Sequence, residues 1–176
     1  MKGHWNKWRK AIGALLIFSF SHFLILSCEG IDCTLDNVVA MKIGFYNSES
    51  KVAVSITDAV DVTAEGTDSL LLNQERNVQT LSLPMSYWQE ADTLRLQFSG
   101  SDEEGNSYAY HIVLRINKTN LPHFESPDCP TVMFHEISSI DYDDPYELAD
   151  SIVVDNPTIN YASLENVKIY LRGSAD

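Results

Sequence analysis

The feature that most constrains the fold is the recurrence of apolar residues at every second position, with mostly polar residues between them, in two neighbouring segments. In the first segment every second residue from Leu94 to Phe98 is apolar, and in the second every second residue from Tyr108 to Ile116 is apolar. Successive side chains of a β-strand point to opposite faces, so this period predicts two strands with one buried face and one wet face. The polar, glycine-containing loop between them predicts an antiparallel hairpin.

The same period recurs along the rest of the chain. Further strands are predicted at 39–45, 52–57, 69–72, 80–83, 131–140, 151–154 and 167–171. A single helical turn is expected at 145–149, and the segment 121–130, with three prolines, is expected to be a loop or an edge crossing. Short strands separated by turns predict an all-β fold: a single antiparallel β-sandwich, or a partly open barrel, of about 7–9 strands after an N-terminal signal helix.

The first 27 residues have the composition of a secretory signal. Residues 1–10 carry four basic and no acidic side chains, and residues 11–26 are almost entirely apolar. This apolar run of about 16 residues is shorter than the roughly 20 that a helix needs to cross the bilayer core. We therefore predict a lipoprotein signal peptide at 1–27 rather than a permanent transmembrane anchor.

The residues Leu24-Ile25-Leu26-Ser27-Cys28, which end this segment, resemble a bacterial lipobox. In proteins with that motif the cysteine thiol is diacylglycerated, the signal is cut before it, and the new amino group is acylated. The resemblance implies that Cys28 is the lipidated first residue of the mature chain. It implies a lipid-anchored segment at 28–36, ahead of the predicted β-sandwich domain at 37–176, and an outer-membrane lipoprotein of the cell envelope, on either the periplasmic or the surface face.

Removal of the signal makes the chain strongly acidic. Of the 12 basic side chains four lie in the signal, so 12 − 4 = 8 remain against 25 acidic ones, a net charge near −17. Nucleic acids and anionic headgroups attract basic surfaces, so nucleic acid is excluded as a partner. The partners that we expect are the membrane, through the lipid, and other envelope proteins or glycans.

Two cysteines remain once Cys28 is assigned to the lipid. The compartment beyond the inner membrane is oxidising, so a disulfide between Cys33 and Cys129 is the expected state. Two buried free thiols or a metal pair are the alternatives, although zinc requires more Cys or His at a recognised spacing. Because Cys33 follows Cys28 by only five residues, the bond would hold the domain close to its lipid. This short distance favours a membrane-proximal structural or assembly role.

The sequence contains no recognised catalytic or cofactor motif. The patterns G-x-S-x-G, G-x-x-x-x-G-K-[ST], G-x-G-x-x-G and C-x-x-C are all missing. His135-Glu136 begins like a zinc-protease motif, but Ser139 stands where the second histidine belongs. His111 and His123 are interpreted, like His135, as ordinary surface or core residues. We predict a non-enzymatic protein without a cofactor; the rival is an envelope hydrolase with a site of scattered carboxylates.

Acidic residues are the candidates for a metal site. Asp141, Asp143 and Asp144 precede Pro145, and a second acidic run occupies 102–104. Calcium requires six to eight oxygens, and closely spaced carboxylates in a loop supply a start. The glycine and the distant glutamate of an EF-hand are missing, so a solvated loop is the alternative interpretation.

Aromatic residues are the candidates for a ligand site. Tyr87, Trp88, Tyr142 and Tyr146 are flanked by carboxylates and amides, and an aromatic face of this kind stacks on a sugar ring while polar neighbours bind its hydroxyls. The alternative is that these rings fill the core or cover the end of the sandwich. Glycan binding is thus one possible activity of a binding or structural module.

Several short stretches together resemble a family of uncharacterised lipoproteins from Bacteroidota. After the lipobox they are Asp32-Cys33-Thr34, Leu81-Ser82-Leu83-Pro84, Ser126-Pro127-Asp128-Cys129 and Asn166-Val167-Lys168-Ile169-Tyr170-Leu171. The resemblance spans nearly the whole mature chain. It implies a two-cysteine framework and an envelope location, and it carries no active site. Surface export in that phylum accompanies an acidic cluster after the lipidated cysteine, and Glu29-Gly30-Ile31-Asp32 is acidic but interrupted.

Overall fold

A computed structural model of the chain describes residues 38–67, 69–127 and 129–173. The strands in these ranges are β1 (Met41–Asn47), β2 (Ala59–Ala64), β3 (Ser69–Glu75), β4 (Thr80–Leu83), β5 (Ala91–Ser101), β6 (Ser107–His123), β7 (Val132–Asp143), β8 (Ala149–Val154), β9 (Thr158–Ile159) and β10 (Val167–Leu171). None of the described residues belongs to a helix that is long and apolar enough to span a bilayer. The predicted signal peptide, Cys28 and Cys33 lie outside the described residues.

The strands form two sheets. The smaller sheet has the order β4-β1-β10-β8, and the larger has the order β3-β2-β5-β6-β7-β9 and curls into a half-barrel. The predicted all-β sandwich is confirmed, with ten strands in the described ranges rather than seven to nine. One pair, β1 with β10, is parallel. Parallel neighbours need a long connection, and these two strands come from opposite ends of the domain sequence.

The core lies between the two sheets. Met41, Ile43 and Phe45 of β1 are fully buried, as predicted from their shared parity. The Phe45 ring meets the Phe98 ring of β5 edge to face, with 6.0 Å between centroids. The apolar faces of β5 and β6 complete this core, so the alternation that predicted the hairpin also selected the residues it buries.

One predicted strand is wrong, and two strands, β2 and β9, were not predicted. The stretch 52–57 makes only two isolated bridges, Tyr46 to Ala53 and Ile56 to Val78. The regular strand is β2, which pairs with both β3 and β5. Apolar and polar residues alternate both in 52–57 and in β2. In β2 the outward-facing Asp61 accepts two hydrogen bonds from Gln74, a residue of the neighbouring strand β3. Pairing with β5, rather than local periodicity, decides which stretch becomes a strand.

β6 extends beyond the predicted hairpin into the proline-containing segment. Its pairing with β5 ends at Asn117, whereas its pairing with β7 continues to His123. Past Asn117 the strand has one unpaired edge, and proline is found at such edges because its missing N–H removes no ladder hydrogen bond there. Pro122 is therefore part of the strand, and the irregular part of the segment 121–130 begins only after His123.

A register shift in β7 changes which of its side chains face inward. Asn117 pairs with Ser139 and Lys118 pairs with Ile137, so Ser138 is an extra residue in the ladder. A bulge of this kind reverses the parity of the strand. On one side of the bulge the inward residues include Ile140; on the other they include His135.

The register assigns the loops to two ends of the sandwich. β5 runs from Ala91 to Ser101 and β6 runs back from Ser107 to His123. The loop 84–90 therefore lies at the same end as His123, an end that we call the tryptophan end after Trp88. The opposite end, which carries Tyr108, is called the tyrosine end.

Candidate functional site

A cleft of about 440 Å³ opens at the tyrosine end. Its lining residues are Ile56, Asp58, Phe98, Tyr108, Tyr110, Glu147, Leu148, Leu171, Arg172 and Gly173. They come from both sheets and from the loops between them. The volume is typical of a small-molecule pocket, and the lining combines apolar and aromatic walls with a few polar groups.

Two tyrosines of β6 form the aromatic wall. Tyr108 and Tyr110 lie two residues apart on one face, and their rings stack with centroids 5.4 Å apart and planes at 25°. Tyr108 is opposite Gly100 of β5. A Cβ atom at Gly100 would lie 2.5 Å from the Tyr108 hydroxyl oxygen, so the glycine provides the space that the Tyr108 ring occupies.

A third tyrosine flanks this wall. The Tyr146 ring lies 5.2 Å from the Tyr110 ring, at 64°, and 5.2 Å from the His111 ring, at 78°. Aromatic pairs favour this edge-on geometry because the positive edge of one ring meets the negative face of the other. Tyr146 thus packs against Tyr110 without itself lining the cleft.

The polar groups of the cleft are paired with one another. The Tyr108 hydroxyl donates a 2.9 Å hydrogen bond to Asp58 Oδ1. This bond to a carboxylate raises the pKa of Tyr108 above its usual value. Glu147 and Arg172 form an ion pair at 3.6 Å, with both side chains largely in solvent. Hydroxyl, carboxylate and guanidinium groups therefore stand around an aromatic wall.

A second polar group is buried at the tryptophan end. The Lys118 side chain is fully buried, and Nζ donates three hydrogen bonds of 2.7 Å, to the carbonyl oxygens of Ser86 and Gln89 and to Asn120 Oδ1. Asp92 Oδ2 lies 3.5 Å from the same nitrogen. Burial lowers the pKa of Lys118, and the Asp92 charge opposes that shift. All three donors of the ammonium are used, so this lysine fixes the loop 84–90.

His135 completes this buried group. Its Nδ1 lies 2.8 Å from Asn120 Oδ1, and Asn120 Nδ2 donates to the carbonyl of Gln89. Since Oδ1 is then the acceptor, Nδ1 carries the imidazole proton. Burial, followed by the charge of Lys118, lowers the pKa of His135 to about 4. The ring is neutral at pH 7 and belongs to the packing.

Sequence reasoning missed this buried group, although a signal was present. Asp92 has the parity of Leu94, and Lys118 has the parity of Ile116. A charged residue in register with an apolar face is a candidate for a buried pair. The extra residue in β7 hid the corresponding signal for His135, because it breaks the parity that links the histidine to Ile140.

The four predicted aromatic residues do not form one site. The Tyr87 ring lies 6.4 Å from the His135 ring at the tryptophan end, next to the exposed Trp88. Tyr146 is at the tyrosine end, and Tyr142, opposite Leu114 in the ladder, is outside the cleft lining. The aromatic residues of the cleft itself are Tyr108 and Tyr110, for which the sequence pattern predicts only a shared strand face.

Two of the three aspartates of the predicted acidic cluster accept hydrogen bonds from neighbouring protein groups. Asp141 accepts from Asn117 at 3.1 Å, and Asp144 accepts from the backbone N–H of Ala149 at 2.7 Å. Asp143 is exposed at the end of β7. In the part of the chain that the structure describes, no group of three or more His, Cys, Asp or Glu residues is arranged to hold a metal ion.

In the acidic run of the β5–β6 loop, Asp102 stabilises the turn. Asp102 accepts hydrogen bonds from the backbone N–H and the side-chain amide of Asn106. These bonds lower the pKa of Asp102. Gly105 adopts a φ of +84°, which completes the tight loop.

Cys129 lies between the end of β6 and the start of β7, at the tryptophan end. Its sulfur is disulfide-bonded, and the partner is outside the described residues. The pairing with Cys33 stays a prediction.

The fold defines the class of the protein as a two-sheet, all-β sandwich with a cleft at one end. A model described as "Family of unknown function (DUF6452)" matches residues 59–171, which run from β2 to β10. The chain belongs to this family. No curated protein and no solved structure matches the chain.

Proposed function

We propose that this chain is a lipid-anchored outer-membrane protein of the Bacteroidota cell envelope that acts as a non-enzymatic binding module. The lipobox-like residues ending at Cys28 support the anchor, and the family match agrees with an uncharacterised domain. The observation that carries the binding role is the cleft at the tyrosine end. We propose a small neutral saccharide as the ligand class.

The lining of the cleft suits such a ligand. The exposed part of the Tyr110 ring offers an apolar face on which a sugar ring can stack, and Asp58, Glu147 and Arg172 can bind hydroxyl groups. The mature chain has a net charge near −17, from 8 basic and 25 acidic side chains. This charge, with two carboxylates in the cleft, disfavours anionic ligands.

Binding fits the cleft better than hydrolysis does. A glycoside hydrolase needs two carboxyl groups that flank the scissile bond, one as a proton donor. Here Asp58 accepts a hydrogen bond from Tyr108, and Glu147 faces Arg172 in solvent. Neither carboxyl group is arranged as the buried acid of such a pair.

The binding proposal is tested by titrating neutral oligosaccharides into the mature protein and following tyrosine ring signals by NMR. Tyr110→Ala should weaken binding by about fivefold, because stacking contributes about 1 kcal/mol. Tyr142→Ala is the matched control, since Tyr142 is also exposed but lies outside the cleft. Equal losses in the two variants, or sugar cleavage by the wild type, would contradict the proposal.

The anchor is tested by mass spectrometry of the protein purified from membranes. We expect the mature chain to begin at Cys28 and to carry acyl groups. Cys28→Ser should remove the acyl mass and release the protein from the outer-membrane fraction. A chain that retains residues 1–27 would show that the segment is not a cleaved signal.

The cross-link is proposed to join Cys33 to Cys129. Peptide mapping without reduction should recover one fragment that contains both cysteines. A free Cys33 thiol in the folded, secreted protein would disprove the pairing.

A further inference from the structure

The tryptophan end exposes large apolar side chains that are not part of the hydrophobic core. Trp88 is 86% exposed, Phe124 is 68% exposed and Leu121 is 44% exposed. Single exposed apolar residues are common on proteins, but several at one end of a fold make that end a candidate interaction surface. At the tyrosine end Tyr110 and Tyr146 are partly exposed too, but their rings pack on each other beside the cleft.

These side chains belong to neighbouring parts of the fold. Lys118 holds the loop with Trp88 against β6 through the carbonyls of Ser86 and Gln89. Leu121 follows on the same strand, and Phe124 comes directly after its end.

Stacked rings stiffen the same part of β6 and β7. The His123 and Phe134 rings stack at 4.3 Å, and Tyr161 packs edge-on against both. The exposed apolar groups are thus presented on a rigid support.

The chain itself indicates what covers this surface. β1 begins at Met41, which pairs with Leu83 immediately before the loop 84–90. The polypeptide therefore leaves the domain toward its N-terminus at the tryptophan end. Cys28 precedes Val38, the first described residue, by 38 − 28 = 10 residues, a reach of at most about 35 Å. The disulfide-bonded Cys129 lies at this end too.

We propose that the tryptophan end is a membrane-contacting surface, with Trp88, Leu121 and Phe124 in the interfacial layer of the bilayer to which Cys28 is anchored. This inference rests on the proposed lipid anchor. Tryptophan favours the membrane interface because its ring is apolar and its N–H is polar. The acidic chain gains no attraction to anionic headgroups, so apolar contact with a zwitterionic bilayer is the chemistry of the surface. The tyrosine cleft then faces away from the membrane.

Trp88 is a natural probe for this arrangement. The other two tryptophans, Trp5 and Trp8, belong to the predicted signal, so Trp88 is the single tryptophan of the mature chain. The lipidated protein is incorporated into phosphatidylcholine vesicles whose acyl chains carry bromine. We expect a blue shift and about a twofold loss of Trp88 emission, because interfacial tryptophan contacts the upper acyl chains.

The matched control is a variant whose single tryptophan lies at the tyrosine end instead of the tryptophan end. The double variant Trp88→Phe with Tyr146→Trp carries its single tryptophan at the tyrosine end, on a side chain that is also exposed. Its emission on the same vesicles should be unchanged by bromine. Equal quenching at both ends would overturn the proposed orientation.

Two further outcomes separate this inference from the proposed function. A protein that carries no acyl group and does not bind vesicles would refute the lipid anchor and the membrane surface together. An acylated, vesicle-bound protein whose Trp88 emission stays as in water would refute the membrane surface alone. Shielding of Trp88 in native envelopes but not in vesicles would also refute it and indicate a protein partner.

Discussion

The two ends of the sandwich are built from the same strands, β5 and β6, yet they use polar groups in opposite ways. At the tryptophan end Lys118 and His135 are buried and hydrogen-bonded, and Cys129 is cross-linked. At the tyrosine end Glu147 and Arg172 meet in solvent beside an open cleft. A buried polar group stabilises only when all its bonds are made, so the first end is suited to stability and the second to exchangeable contacts.

Removal of the cross-link should have the largest effect on this difference. Cys129→Ser should lower the free energy of unfolding by about 4 to 5 kcal/mol, because the predicted bond to Cys33 closes a loop of almost a hundred residues in the unfolded chain. Urea denaturation of the oxidised wild type and the variant measures the change. Reduction of the wild type should reproduce it, and a loss below about 1 kcal/mol would contradict the long-loop pairing.

Removal of the buried ammonium should come next. Lys118→Met leaves the carbonyls of Ser86 and Gln89 without their donor and Asp92 without its counter-charge. We expect a loss of about 3 to 4 kcal/mol in urea denaturation, since breaking a buried pair leaves uncompensated polar groups.

The matched control for Lys118 is Arg95→Met, which breaks the exposed ion pair with Glu65. Exposed pairs contribute less than about 1 kcal/mol. Similar losses of unfolding free energy in the two variants would show that the buried lysine stabilises the fold no more than an exposed ion pair does.

Acid should weaken the tryptophan end through His135. Its pKa falls from 6.5 in the unfolded chain to about 4 in the fold, so between these values the unfolded chain binds the extra proton. The stability from the neutral ring is complete above about pH 6.5 and is lost as the pH falls toward 4, roughly 3 kcal/mol in all.

Stability curves at several pH values, compared with those of His135→Gln, measure this contribution. The variant should lose the part of the pH dependence that belongs to the histidine. Parallel curves for the two proteins would show that His135 does not titrate in this window.

The smallest effect on stability is expected in the cleft. In Gly100→Ala the new methyl group would meet the Tyr108 hydroxyl and Asp58 Oδ1. The hydroxyl is at the end of a side chain that can move, so the loss should be less than about 1 kcal/mol. Saccharide affinity should nevertheless fall, because Tyr108 shifts within the cleft. Ser99→Ala, on the opposite strand face, should change neither quantity.

The sequence determined the fold class and most of the core. The parity of β1, β4, β5 and β6 predicted their buried faces, because a half-buried strand needs one apolar side wherever it sits in a sheet. Leu94, Leu96, Ile112 and Leu114 are accordingly buried. The hairpin loop, with its turn around Gly105, was also predicted from composition.

Only the tertiary structure decided where the functional groups meet. Tyr108 joins Asp58 across fifty residues of sequence, and a single extra residue in β7 turns His135 toward Lys118. Strand pairing and bulges determine such long-range contacts, and neither can be read from the alternation of apolar and polar residues within one segment. The apolar pattern is a property of each segment alone, whereas the cleft and the buried charges depend on which segments become neighbours.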